Sequence, residues 1–226
     1  MTDIKLYMAP GTCGRVPCIA LEETGETFET VLIRFMRGEH KSPEFKKINP
    51  KGKVPTLVVD GEPLTENVAI LTYLNERYPD ARLLPKPKDD LGRVRQLADL
   101  SFCSATLHPI VTRIRMPHFF AGEDAARTVW EKASQAMNEY FGLIDERLTS
   151  QPWWYGDEWS VVDAYLYWIF WRCQGASYDV EPFANFQGHA ERMEARPSVQ
   201  RALAREAEAQ AQLESEGLVF KPPPMK

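Results

Sequence analysis

A chain of 226 residues with 44% hydrophobic and 26% charged side chains fits one large domain or two small ones, and is too apolar for wholesale disorder. Its 27 basic and 32 acidic residues leave a net charge of -5, and no stretch gathers Lys and Arg into the block that a phosphate backbone demands, so nucleic acid is not an expected partner. No apolar run is long enough to span a bilayer, and no membrane partner is expected.

The opening residues, with Asp3 and then Pro10-Gly11, lack the basic start and apolar stretch of a secretory signal. The four cysteines, Cys13, Cys18, Cys103 and Cys173, are scattered without the close pairing of a zinc site or the density of a disulfide framework. No metal is expected, and the reducing cytoplasm is the expected location.

Along the chain, β-rich runs bounded by Pro and Gly fill the first third. The pattern predicts a strand over 4–7, a helix over 16–24, a strand over 29–32 and an irregular or helical piece over 42–48. Strands over 56–59 and 62–64 flank Asp60-Gly61, a dipeptide that tolerates the positive φ of a tight hairpin turn. Thr65 is placed to cap a helix whose apolar residues Val68, Ile70, Leu71 and Leu74 recur at helical spacing up to Tyr78. The expected order is βαβαββα.

A linker rich in proline, 78–88, closes this part. Beyond it the periodicity is helical, with helices predicted over 90–115, 125–148, 161–174, 183–195 and 198–216 and a break at Pro197. The terminal Pro222-Pro223-Pro224 cannot continue a helix and reads as an extended tail. The expected domains are 1–84 and 90–226.

Three segments carry chemistry. In Ala9-Pro10-Gly11-Thr12-Cys13-Gly14-Arg15-Val16, a cysteine sits in a small-residue loop between the first strand and the first helix. The N–H groups and dipole of a helix N-terminus favour a thiolate there, or any bound anionic sulfur. A small residue in a tight turn is the other reading. A dithiol motif needs a second cysteine where Val16 stands, so an external thiol such as glutathione would have to resolve any mixed disulfide formed on Cys13.

The segment Asn49-Pro50-Lys51-Gly52-Lys53-Val54-Pro55-Thr56 runs through a turn into a strand. A cis Val54–Pro55 bond would expose the Val54 backbone to an extended peptide, while an ordinary trans turn proline is the alternative. Thr65-Glu66-Asn67 opens the third helix, where free N–H groups receive a carboxylate and Glu66 meets an ammonium, a trio suited to an amino-acid head group or to plain capping.

These residues resemble the glutathione transferases over nearly the whole chain. The resemblance rests on Lys5-Leu6-Tyr7, Pro10-Gly11-Thr12-Cys13, Ile48 to Pro55, Leu64-Thr65-Glu66-Asn67-Val68-Ala69-Ile70 and Gly156-Asp157-Glu158-Trp159-Ser160-Val161-Val162-Asp163-Ala164. It implies an α/β thioredoxin-like N-terminal domain that binds glutathione and an all-α C-terminal domain that forms a hydrophobic acceptor site. Cys13 in Pro-Gly-x-Cys, with His108, is most similar to the bacterial beta class. Gly14, Asn67 and Pro109 depart from that class, which often has serine, serine or glycine, and lysine at those places.

The resemblance further implies Cys13 and His108 as catalytic residues, with Thr12 or Tyr7 as alternative partners of the sulfur. The Val54 backbone pairs with the cysteinyl unit of glutathione, Glu66 and Asn67 hold the γ-glutamyl end, and Arg37 or Lys53 meets the glycine carboxylate. Arg115, Met116, Phe119, Trp168 and Arg172 line the acceptor pocket, although the rings of the helix that carries Trp168 read first as core packing. The implied function is conjugation of glutathione, as cosubstrate, to a small, aromatic electrophile by a cytoplasmic homodimer engaged in detoxification. A Cys13-dependent thiol transferase or disulfide reductase and a non-catalytic ligand-binding member are the alternatives. Ser160-Val161-Val162-Asp163 has the spacing of a capping box and is read as structural, its cap worth about 1 kcal/mol.

Overall fold

A computed structural model describes residues 2–221; the proline tail at 222–224 lies outside the described residues. Four strands form one mixed sheet in the order β2-β1-β3-β4. The central strand β1 (Ile4–Met8) pairs parallel with β2 (Glu29–Leu32), through Lys5↔Glu29 to Met8↔Leu32, and antiparallel with β3 (Thr56–Val59), through Ile4↔Val59 to Tyr7↔Thr56. The parallel pair requires a crossover, supplied by helix α1 (Arg15–Thr24).

Strands β3 and β4 (Glu62–Thr65) form the expected hairpin, Asp60 and Gly61 both taking positive φ, 49° and 88°. Pro63 is tolerated in β4 because β4 lies at the sheet edge. Period-two alternation puts Ile4, Leu6 and Met8 in the core, while Tyr7 turns to the other face and its ring lies 5.7 Å from Phe45 of the short helix α2 (Pro43–Ile48). Helix α3 (Asn67–Arg77) completes the βαβαββα order. Its N-cap is Glu66 and not the expected Thr65, which ends β4.

The remaining helices are α4 (Asp90–Ser101), α5 (His108–Arg115), α6 (Glu123–Leu148), α7 (Val161–Gln174), α8 (Ala184–Glu194) and α9 (Pro197–Ser215). The single helix expected over 90–115 is interrupted: Phe102–Leu107 forms a π-helical turn in which the His108 N–H reaches Cys103 O. Pro109 has no N–H to offer the carbonyl four residues earlier, and the ladder slips by one residue just ahead of it. In the interior of this part Phe141 is the hub, its ring 4.9 Å from Phe186, 5.1 Å from Tyr178 and 5.3 Å from Phe183.

The capping box at α7 is present. Asp163, fully buried, accepts the N–H and hydroxyl of Ser160 at 2.9 Å, the N–H of Trp154 at 2.7 Å, and contacts His189 Nε2 at 3.0 Å. Among the described residues, no helix is long and apolar enough to cross a membrane.

The chain divides into two units. One runs to Leu83 and takes in Arg196–Lys221; the other spans Leu84–Ala195. Helix α9 thus groups with the sheet and not with the helices that precede it. It buries Val199, Ala202 and Leu213, and ion pairs join it to α1: Arg196 pairs with Glu23 at 2.7 Å, and Arg201 and Arg205 each pair with Glu22 at 2.6 Å. At its end, Glu216 takes a two-pronged bond from Arg34, at 2.7 and 2.8 Å.

The Arg34 guanidinium, with help from Gln212 and Arg37, holds the Glu216 carboxyl down from 4.5 to about 2. A carboxyl depressed on folding contributes stability that is full above its unfolded value and fades as pH falls through the folded one. Denaturation measured from pH 5 downward is expected to show a loss between about pH 4.5 and 2 that Glu216→Gln lacks. An identical acid profile for the two proteins would contradict this tether.

Candidate active site

The loop that carries Cys13 is fixed from inside and from outside. Gly11 takes φ of +71°, which lets the chain turn sharply out of β1. The Thr12 hydroxyl donates to Ala9 O at 2.7 Å and accepts the Gly14 N–H at 3.3 Å. The N–H groups of Arg15 and Val16 go to Thr12 O and Cys13 O at 3.1 and 3.2 Å. These donors are therefore spent on the turn, and the Thr12 proton on Ala9, so neither points to a sulfur.

From outside, the Glu206 carboxylate of α9 accepts the Gly11 N–H at 3.2 Å and both prongs of the Arg15 guanidinium, at 3.1 and 2.6 Å. Arg15 and Glu206 are 2% and 6% exposed, so this is a buried ion pair, and the two loop residues that Glu206 grips, Gly11 and Arg15, flank Cys13 in sequence. Gly14 is packed tightly: an added Cβ would lie 2.8 Å from Met8 Cβ and 3.2 Å from Thr12 Oγ1, which gives this position its reason to be glycine.

Cys13 itself is half-buried, with Sγ 3.9 Å from Val54 O, a long contact of the thiol type. The other three cysteines are buried. Burial raises the Cys18 thiol to about 12, and pushes Cys103 and Cys173 upward as well, which keeps all three as inert thiols. Asn67, at the start of α3, donates its amide to Cys13 O at 3.1 Å, while its Oδ1 is buried with no partner among the described residues.

The segment before β3 is organised by Asn49, 1% exposed, whose amide reaches Lys53 O at 2.7 Å and Thr56 Oγ1 at 3.0 Å. The Val54–Pro55 bond is cis. Gly52 has φ of +61° and a Cβ there would come within 2.6 Å of His40 O, so no side chain fits. Glu66 also takes a left-handed backbone, φ 71°, an unusual conformation for a residue with a side chain. Its carboxylate meets Lys51 Nζ at 2.6 Å, and the same Nζ reaches Thr65 Oγ1 at 2.7 Å.

In the other unit, His108 opens α5 just after the π turn. Its Nδ1 lies 3.1 Å from the buried Tyr165 hydroxyl and its ring 4.7 Å from that of Trp168. Trp168 is 3% exposed and belongs to the packing of α7. The Arg172 guanidinium lies 5.5 Å from the Trp171 ring centroid. Arg115 and Met116 end α5, and Phe119 is largely exposed beyond it. Asp99, on α4, accepts the Tyr155 hydroxyl at 2.7 Å.

A family model for the glutathione S-transferase N-terminal domain matches residues 2–76, and one for the glutathione S-transferase C-terminal domain matches residues 102–197. The chain belongs to the glutathione S-transferase family. It is 30% identical over 205 residues to glutathione S-transferase GstA of Escherichia coli O157:H7, covering 90% of this chain and 98% of that one. A bacterial beta class glutathione S-transferase from Sphingomonas chungbukensis superposes with a TM-score of 0.78 at 34% identity, over 89% of this chain and 98% of the other. A sphingomonad glutathione S-transferase complexed with glutathione gives 0.78 at 33% identity, over 90% and 98%.

Within this family frame, the first unit brings Cys13, Val54 and Asn67 together: the Cys13 thiol touches the Val54 carbonyl and Asn67 touches the Cys13 backbone. The Arg37 guanidinium lies 3.2 Å from Glu216, and Lys53 is exposed. Sequence reasoning missed Lys51, Asn49 and the Arg15–Glu206 pair. The first two stood in a segment already singled out for its backbone, but Glu206 lies 191 residues from Arg15 and no local pattern joins them.

Removing Glu206 leaves a buried guanidinium without its counter-ion, a change that costs about 3–5 kcal/mol. Urea denaturation of Glu206→Ala is expected to show a loss of that order. A loss within 0.5 kcal/mol or so, the usual range of surface changes, would mean that the pair does not hold the loop.

Proposed function

We propose that this protein conjugates glutathione to small, aromatic electrophiles. The observation that carries the reading is Cys13: a half-buried thiol against the Val54 carbonyl, in a loop clamped on both sides, in a chain whose other cysteines are buried. In this reading the Val54 backbone pairs with the cysteinyl unit, and Glu66 with Asn67 holds the γ-glutamyl end. Lys53 is the better remaining candidate for the glycine carboxylate, since Arg37 is engaged by Glu216. The same reading gives His108 a catalytic part and assigns Arg115, Met116, Phe119, Trp168 and Arg172 to the acceptor.

The chemistry needs an anionic sulfur. A thiol of pKa about 8.5 is only a few per cent ionised at neutral pH. Lowering it by two units takes about 2.7 kcal/mol of preferential thiolate binding. The N–H groups of residues 14 to 16 and the Thr12 hydroxyl are engaged within the turn, so in this reading the Cys13 S–H turns from the Val54 carbonyl to the ligand sulfur, backed by the dipole of α1. The thiol proton leaves to water, the thiolate attacks the electrophilic carbon, and a C–S bond forms either by addition or as a halide departs. The active form is taken to be a cytoplasmic homodimer serving detoxification.

The exposure of Cys13 relative to the other cysteines also favours a second reading, in which Cys13 attacks a glutathione mixed disulfide and external glutathione resolves it. Cys13→Ser separates the two. Assayed with a chlorodinitrobenzene-type acceptor, it is expected to retain conjugation within about tenfold, because a hydroxyl still donates one hydrogen bond, and to lose mixed-disulfide reduction. Loss of both activities would make Cys13 the nucleophile. Wild-type protein without glutathione-dependent turnover across an acceptor panel, and without glutathione binding, would end the proposal.

A further inference from the structure

The Lys51–Glu66 contact has no part in the reading so far, and its form is informative. Both side chains reach solvent, at 47% and 70% exposed, so the pair adds little to stability and is accessible to a solute. Yet the two partners are held with unusual care for a surface pair. The Lys51 N–H is tied to Asn49 Oδ1 at 3.1 Å, and the next residue, Gly52, has no room for a side chain. Asn49 in turn grips Thr56 Oγ1, and Thr56 stands opposite Thr65 in the hairpin register. Thr65 Oγ1 accepts a second bond from Lys51 Nζ, and Glu66 follows on a left-handed backbone. A chain of contacts from Asn49 to Glu66 thus places one fixed cation beside one fixed anion at the start of α3.

A free amino-acid head group is itself such a pair, with an ammonium and a carboxylate on one carbon. A lone Glu66 would attract the ammonium and repel the carboxylate. With Lys51 at 2.6 Å, the protein offers the complementary arrangement, and the four charges alternate in sign. The buried Oδ1 of Asn67, next in the chain and without a partner among the described residues, is an acceptor of the kind an ammonium fills.

We propose that Lys51 binds the α-carboxylate of the γ-glutamyl head group, so that Lys51 and Glu66 together read a zwitterion and not merely a positive charge. This rests on the glutathione reading above and adds a binding residue to it.

Titration calorimetry with three ligands tests it. These are glutathione, the analogue whose glutamyl unit is replaced by 4-aminobutanoyl, which keeps the ammonium and lacks the α-carboxylate, and the glutaryl analogue, which keeps the carboxylate and lacks the ammonium. Wild-type protein is expected to bind each analogue about tenfold or more weakly than glutathione, the usual size of one lost charged hydrogen bond. Lys51→Met is expected to bind glutathione about tenfold more weakly and to lose its discrimination against the 4-aminobutanoyl analogue, while still rejecting the glutaryl one. Lys51→Arg is expected to restore discrimination.

Should Lys51→Met discriminate as wild type does, or bind glutathione more tightly because Lys51 merely competes for Glu66, the proposal is overturned. Wild-type protein that gives no heat with glutathione overturns the glutathione reading itself, an outcome distinct from either.

Discussion

The buried carboxylate of Glu206 holds the Gly11 N–H with one oxygen and the Arg15 guanidinium with both, and so grips the Cys13 loop at both ends. A buried ion pair adds little net stability once desolvation is counted, but losing one partner is costly, so the pair restricts the chain to conformations in which both are present. Here the restricted element is the loop that carries Cys13. The loop spends its own N–H groups on turns, and α9 supplies the anchor it cannot provide for itself. The Arg196, Arg201, Arg205 and Glu216 contacts along α9 serve the same end by fixing that helix to α1 and to the loop after β2.

With the loop fixed, chemical roles separate by burial. Cys18, in α1, is fully buried and its thiol is pushed up to about 12, while Cys13 stays half-buried beside the Val54 carbonyl. Two cysteines five residues apart thus differ in access, one packed in the core and the other in the loop. On the neighbouring elements Asn49 and Asn67 are buried amides, Asn49 closing its own turn onto the start of β3 and Asn67 joining the start of α3 to the Cys13 loop.

The parts legible in the sequence are those governed by neighbours in the chain. Alternation in Ile4 to Met8, the Asp60-Gly61 turn and the Ser160–Asp163 box are each determined within a few residues, and the structure has all three. Turn signals and periodicity also carried the βαβαββα order and the helical second part, and family resemblance added the thioredoxin-like fold and the beta class likeness. What escaped was set by distant partners or by a missing donor. The Ala/Glu-rich pattern of α9 looks like a solvated face until Glu22, Glu23 and Arg15 are seen to receive its charges. Arg37 looked available until Glu216, at the far end of the chain, was found against it. The π turn before His108 needed only Pro109 to be weighed as a lost N–H inside a helix, a signal that was present and not used.

The central claim is that the Cys13 loop is built to face the sulfur of bound glutathione. A crystal structure of the protein soaked with glutathione tests it most directly. The account predicts the cysteinyl backbone of the ligand paired with Val54 and its sulfur within contact distance of Cys13 Sγ. Glutathione seated elsewhere, or with its sulfur turned away from Cys13, would contradict it.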